Sequence, residues 1–290
     1  MTATSWFGRV SVIVRVMVAM FMFLTLGGVG GAAQSVVAED AANVDAGSRA
    51  VDPQAVRPMS WQGVERCSGE TRYETAVQTS LRAFPSEADA VVIATGANWP
   101  DALCAAPLCN VENASLLLVA RDSIPTAVLT EIRRLSPTSA IILGGTSAVS
   151  EQVQYALFDE LGEENVRRIA GGDRYETAAM IAAEVMSSPG WSGAAFYATG
   201  ANFPDALGAS AVAASRQMPI LLCTSSAIPV ATDAVDDGVS SAFIVGGTSV
   251  VGSGVEALLR QRVSVTRLFG TSRYETTRAV VEYAVSHWGV

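Results

Sequence analysis

Lysine is missing from this 290-residue chain altogether: all 19 of its basic residues are arginine. Against 28 acidic residues they leave a formal net charge of −9, which argues against a nucleic-acid partner gripped through a basic surface. Histidine is nearly as scarce, since the one copy, His287, lies close to the end of the chain. A Ser/His/Asp triad or a His-rich metal site therefore has almost no raw material, and no metal or cofactor is expected. Neither G-x-G-x-x-G nor G-x-x-x-x-G-K-[ST] occurs, so the dinucleotide and triphosphate fingerprints are absent too. What the chain does have is apolar material. Half of its residues are hydrophobic, enough for a real core and too many for disorder throughout.

The first residues read as a targeting segment rather than as part of a fold. Arg9 and Arg15 precede or flank the start of an apolar run from Val16 to Leu26, small residues follow from Gly27 to Ala33, and no acidic residue occurs before Glu39. A positive start, a short apolar centre and a small-residue zone are the layout of a secretory signal. Val36-Val37-Ala38 suits cleavage after small side chains, with Gly31-Ala32-Ala33 as a second candidate. An uncleaved anchor is the alternative, but the strongly apolar stretch is well short of the roughly 20 residues that a span needs. Removing residues 1–38 takes Arg9 and Arg15 away and leaves a secreted chain of formal charge −11. Residues 39–63, with Pro53, Pro58 and few large apolar side chains, read as a solvated linker.

Beyond the linker the chain repeats itself at a period of about a hundred residues, the size of a small domain. Arg66 to Ala76 (RCSGETRYETA), Arg168 to Ala178 (RIAGGDRYETA) and Arg267 to Thr277 (RLFGTSRYETT) align, so that Arg72 recurs as Arg174 and Arg273. Thr95 to Leu103 (TGANWPDAL) matches Thr199 to Leu207 (TGANFPDAL), and Gly144 to Val149 (GGTSAV) matches Gly246 to Val251 (GGTSVV). The repeats fall at 64–167 and 168–266, with the opening of a third at 267–290. Short apolar runs read as buried strands: Ala90 to Thr95, Leu116 to Val119 and Ala140 to Leu143, then Ala194 to Thr199, Ile220 to Cys223 and Ala242 to Val245. Stretches with helical spacing, such as Thr126 to Leu135 and Glu151 to Leu161, separate them. Alternating strand and helix predict a three-layer α/β unit with a mostly parallel sheet in each repeat.

Helix capping explains much of the R-Y-E-T element. Thr71, Asp173 and Ser272 each stand three residues before Glu74, Glu176 and Glu275, the spacing of a capping box. Gly69, Gly171 and Gly270 let the chain turn tightly into that helix. The arginines are different, because a cation in the first helical turn opposes the helix dipole. Arg72, Arg174 and Arg273 therefore serve either a pairing between repeats or a ligand. In the T-G-A-N-[WF]-P-D-A-L element, Asn98 and Asn202 are candidates to cap the next helix, and Asp101 and Asp205 lie in its first turn. Such loops lie beyond the carboxyl ends of strands, where open parallel sheets place their function. Gly144-Gly145 and Gly246-Gly247 read as tight turns whose amides could face an anion. Cys67, Cys104, Cys109 and Cys223 are replaced in the other repeat by Ile169, Gly208, Ala213 and Val119. Buried free thiols are the expectation, with Cys67 and Cys223 on strands and Cys104 and Cys109 on a helix.

Taken together and in this order, G-x-x-R-Y-E-T-A, T-G-A-N-[FW]-P-D-A-L, P-I-L-L at Pro219 to Leu222 and G-G-T-S-x-V resemble the cell wall-binding repeat 2 family of Gram-positive bacteria. The resemblance covers Val64 to Val290. It implies tandem Rossmann-like α/β units, three as a rule around a pseudo-threefold axis, that attach proteins non-covalently to anionic cell-wall polymers, often beside an amidase or protease domain. It singles out the Arg of R-Y-E-T, the Asp of P-D-A-L and the P-I-L-L strand, where the first repeat departs with Ser115-Leu116-Leu117-Leu118. The third repeat supplies one strand and one helix, which either complete the second unit's sheet or remain as an incomplete copy open to self-association. The expected protein is a secreted, wall-associated module without catalysis, holding a cell-wall glycopolymer multivalently through Arg72, Arg174, Arg273, Asn98, Asp101, Asn202 and Asp205. No nucleic-acid partner is expected, and no membrane span after signal cleavage. A divalent cation bridging the acidic chain to its polymer, a peptidoglycan amidase-associated role and a self-assembling surface-layer component are the alternatives.

Overall fold

The computed structural model describes residues 66–289, so the targeting segment and the linker lie outside the described residues. The first unit runs α1 (Arg72–Ala83), β1 (Ala90–Thr95), α2 (Pro100–Leu103), α3 (Ala105–Val111), β2 (Ala114–Val119), α4 (Thr126–Leu135), β3 (Ser139–Leu143), α5 (Glu151–Leu161) and β4 (Val166–Ile169). The second runs α6 (Arg174–Met186), β5 (Ala194–Thr199), α7 (Pro204–Ser215), β6 (Ile220–Cys223), α8 (Val230–Asp233), β7 (Ser241–Val245), α9 (Ser253–Arg260) and β8 (Ser264–Leu268), followed by α10 (Arg273–Trp288). Each unit is a four-stranded, all-parallel sheet, with strand orders β2-β1-β3-β4 and β6-β5-β7-β8. The expected three-layer α/β units are therefore present. The fourth strands are an addition to the three seen by hydrophobic pattern. The pattern V-R-R-I of β4 has two arginines between its buried ends, which hides it from a search for apolar runs.

Both fourth strands begin the next copy of the motif. Leu143 is in register with Ile169, and Val245 with Leu268. The opening of the third repeat thus completes the second sheet, the first of the two readings offered by the sequence.

The R-Y-E-T element is built letter by letter from local contacts. An ideal Cβ on Gly69, Gly171 or Gly270 would lie 2.3, 2.2 or 2.2 Å from the Cβ of the motif Glu, so no other residue lets the chain double back there. Those glycines donate their N–H to the hydroxyls of Thr75, Thr177 and Thr276, each at 3.1 Å. The full capping box forms at Thr71, whose own N–H reaches Glu74 Oε2 at 3.0 Å. In the other copies the Glu carboxylate takes the N–H one residue earlier, from Gly172 at 2.6 Å and Thr271 at 2.8 Å. The cap side chains of Asp173 and Ser272 still accept from the first turn.

The P-D-A-L helix differs between copies for a covalent reason. Pro107 has no N–H to give the carbonyl of Leu103, and the helix breaks at Cys104 into α2 and α3. Ala211 stands at that position in the second unit, and α7 runs unbroken.

Three apolar clusters hold the layers together, and one of them belongs to both units. Val92, Ala94, Ile141 and Leu143 of the first sheet share it with Phe196, Ala198, Leu222 and Val245 of the second. Helix α6 is buried on two sides. Ala178, Ile181 and Val185 enter the shared cluster, while Ala182 joins the cluster on the second sheet's other face. The Asn110 side chain ties α3 to α7 by donating to the Ala214 carbonyl at 2.8 Å.

Two units with a common core should unfold together. Ile181 is 1 % exposed, and its replacement by Ala should destabilise the chain by about 2–5 kcal/mol. Calorimetry should show one transition moving to lower temperature. Two separable transitions in the parent would contradict a shared core.

Candidate functional site

The strand order sends the chain to opposite sides of β1, so a crevice opens beyond the carboxyl ends of β1 and β3. The same crevice lies beyond β5 and β7. Gly96 and Gly200 end the first strand of each pair, where the edge of the Tyr73 or Tyr175 ring lies so close that a Cβ would sit 2.5 Å from it. Beside these rings the motif arginines find carbonyls. Arg72 Nη1 donates to the Gly96 carbonyl and Arg174 Nη1 to that of Gly200 at 2.8 Å. This offsets part of the cost of a cation at a helix start.

Arg174 also reaches back into the first unit. Its guanidinium lies 5.3 Å from the centre of the Trp99 ring, within cation–π range. Trp99 in turn meets Phe203, the same residue of the second unit, at 5.8 Å between ring centres. Arg174 faces the Asp101 carboxyl of the first unit electrostatically, and Arg273 faces that of Asp205. At two junctions, therefore, the Asp of one copy lies within electrostatic reach of the Arg of the next. Arg72 stands at its own unit's Gly96 carbonyl.

Asp101 and Asp205 rest against the Gly-Gly turn. A Cβ on Gly144 would come within 2.3 Å of Asp101 Oδ2, and one on Gly246 within 2.8 Å of Asp205 Oδ2; both glycines have positive φ, 93° and 108°. Only glycine accepts that backbone without strain while leaving room for the carboxylate. Burial pushes both carboxyls above the ordinary range, and the facing arginine draws them back in part.

Several sequence expectations change here. Asn98 and Asn202 do not cap the helix. Trp99 and Phe203 occupy the cap position, and each Asn side chain instead accepts the N–H of that aromatic residue at 2.9 Å, because its loop folds back on itself. Both Asn remain exposed. Within the Gly-Gly turn, the first glycine and the residues that follow the turn are bonded inside the fold. Gly144 gives its N–H to the Ile169 carbonyl, Ala148 and Val149 give theirs to Gly145, and Ser150 gives its own to Arg121. All four cysteines are free, three of them buried, and burial pushes the thiols of Cys109 and Cys223 up to about 12. Such thiols are inert at neutral pH. Cys67 lies outside any strand, and Cys104 sits at the helix break. Among the described residues, no group of three or more His, Cys, Asp or Glu is placed to hold a metal ion, and no helix is long and apolar enough to cross a membrane.

Motif reading missed the two arginines that open the second and third copies. Arg168 Nη1 donates to the Gly144 carbonyl at 2.7 Å, and Arg267 Nη1 to that of Gly246 at 2.7 Å. Their signal was the alignment itself, in which Arg66, Arg168 and Arg267 share one column.

The carboxyl environment can be tested. A carboxyl whose pKa is raised on folding makes the native state less stable above that pKa, and the penalty disappears as pH falls through it. Replacing Asp101 and Asp205 by Asn should leave the thermal midpoint at neutral pH equal to or above the parent's, with the difference closing as the buffer is acidified. A midpoint well below the parent's at neutral pH would mark the two residues as structural caps.

Comparison with known proteins agrees with this architecture. The family described as Cell wall binding domain 2 (CWB2) matches residues 66–154 and 168–256. The chain is 35 % identical over 221 residues to the N-acetylmuramoyl-L-alanine amidase LytC of Bacillus subtilis, covering 76 % of this chain and 42 % of that protein. It is 29 % identical over 218 residues to the amidase enhancer of the same organism, covering 75 % and 29 %. Among solved structures, Cwp6 from Clostridium difficile superimposes with a TM-score of 0.70 at 30 % identity, over 74 % of this chain and 35 % of that one. Cwp8 from the same organism gives 0.66 at 32 % identity, over 74 % and 37 %. The chain thus spans less than half the length of each of these proteins. With both family matches falling on the duplicated α/β units, this chain belongs to the Cell wall binding domain 2 family.

Proposed function

We propose that the chain is a secreted module that holds an anionic cell-wall glycopolymer and so anchors itself to a Gram-positive envelope, without cleaving the wall. The match of both α/β units to the Cell wall binding domain 2 family carries this reading. The site we assign to it is the repeated junction, where Arg174 lies over the Trp99 ring within electrostatic reach of Asp101 and Arg273 lies within reach of Asp205. A guanidinium offers a planar fork of donors to a carboxylate or phosphate. The neighbouring carboxyl and the exposed Asn98 and Asn202 offer partners for sugar hydroxyls. Two such junctions on one rigid body reinforce each other through effective concentration. The acidic balance of the chain does not forbid this, because charges beyond about 8 Å are screened at physiological salt. A divalent cation bridging carboxylate and polymer belongs to the same proposal.

Replacing Arg72, Arg174 and Arg273 together by Gln should abolish co-sedimentation with purified walls while the chain stays folded. The parent should clear no band in a peptidoglycan zymogram. Unchanged sedimentation of the triple variant would remove the arginines from the ligand site, and a cleared band would make the chain a hydrolase.

Self-association is a second reading, supported by four exposed apolar residues in the third repeat. Phe269, Tyr274, Val281 and Val285 are 57, 65, 43 and 57 % exposed, whereas Ala182, the counterpart of Val281, is 1 % exposed against the second sheet. Light scattering over a concentration series should show a mass above the monomer that falls when Val281 and Val285 are replaced by Ser. A monomer at all concentrations would dismiss it.

A further inference from the structure

The last two residues of a fourth strand grip the Gly-Gly turn from both sides. Gly144 donates its N–H to the Ile169 carbonyl at 2.9 Å, and its own carbonyl accepts from Arg168 Nη1 at 2.7 Å. Gly246 is held in the same way by Leu268 at 2.9 Å and Arg267 at 2.7 Å. The Cα of each glycine is the floor on which the Asp101 or Asp205 carboxylate rests. A few residues beyond the same strand end, α6 and α10 begin, with Arg174 and Arg273 as their first residues. One strand terminus therefore sets the place of the carboxylate from one copy and of the guanidinium from the next.

From this geometry we infer that Arg168 and Arg267 are positioning residues of the two junctions, an inference that rests on the junctions being the polymer site. Their remaining contacts show which bond matters. Arg168 gives Nε and Nη2 to the neutral Gln154 Oε1 at 3.2 and 2.9 Å, whereas Arg267 gives Nε to the Glu256 carboxylate at 2.8 Å and leaves Nη2 buried without an acceptor. The accessory partner changes from amide to carboxylate, while the bond to the glycine carbonyl recurs at the same length. Burial lowers the pKa of Arg168, so keeping a charged guanidinium there is costly. Sheet packing alone is served better by an apolar side chain, such as Val166 two residues earlier on the same face of the strand. An arginine serves where a rigid fork must reach a strand-end carbonyl and a helix side chain at once.

The test is a double-mutant cycle in the full chain, read as affinity for purified walls beside the thermal midpoint. Arg168→Met and Arg174→Gln should each weaken binding, by about tenfold for the loss of one charge-assisted contact. The double variant should lose clearly less than the sum of the two single losses, because part of what Arg168 does is to set the carboxylate against the guanidinium that Arg174→Gln has already removed. Gln154→Ala, which spares the glycine bond, should bind like the parent. Additive losses in the double variant overturn the positioning role and leave the proposed site standing. Unchanged binding by Arg174→Gln removes the site itself and the inference with it. Should Arg168→Met fold poorly, Arg168→Lys decides: it keeps a cation able to reach the Gly144 carbonyl, and recovery of most of the affinity supports the role. A well-folded Arg168→Lys that binds no better than a chain lacking Arg174 overturns it.

Discussion

Burial of helix α6 on two sides is the constraint around which the rest of the molecule is arranged. Ala178, Ile181 and Val185 close the core common to both sheets, and Ala182 closes the far side of the second. A helix covered on both sides has little room for large residues, which accounts for its run of alanines. Because α6 is the second unit's first helix and also part of the first unit's packing, the two copies cannot rotate independently without opening a core. That rigidity makes a site divided between copies workable. Arg174 approaches Asp101 and Trp99 only because the helix that carries it is pinned against both sheets.

The third copy of the motif repeats the inner half of this arrangement on α10, whose Val281, the counterpart of Ala182, is exposed. Val280 and Ala284 enter the shared core, and Tyr283 and Trp288 pack on Phe243 with ring centres 5.5 and 4.9 Å apart. Glu184 and Pro189 stand at the matching positions of the preceding copy, so this aromatic packing is particular to α10. The β8 strand and α10 together give the second unit what β4 and α6 give the first: a fourth strand, a clamp on the Gly-Gly turn and an arginine opposite the aspartate.

Local chemistry was the most legible part of the chain. The capping positions at Thr71, Asp173 and Ser272 follow from spacing alone, since a cap is satisfied within one turn of helix. Helices Thr126–Leu135 and Glu151–Leu161 and strands Ala90–Thr95, Ala194–Thr199 and Ile220–Cys223 end where the apolar pattern ends. Asn98 and Asn202 misled because the residue type suits a cap, while the loop places the next residue there. The fourth strand of the first unit shows no apolar run of its own because Arg167 and Arg168 stand between Val166 and Ile169, whereas the strand that completes the second sheet was legible from the repeat.

Sequence by itself determined that one folding unit was copied, which side chains open each helix, and that Arg and Asp recur at the edges of the strands. Those features are local or periodic, and a periodic pattern is visible without knowing what touches what. Only the tertiary structure decided that each aspartate faces the arginine of the following copy, that a strand-end arginine clamps the glycine beneath it, and that Trp99 and Phe203 meet at the boundary. Such contacts join residues dozens of positions apart, and their geometry comes from two sheets locked around a shared core, which no single stretch of chain encodes.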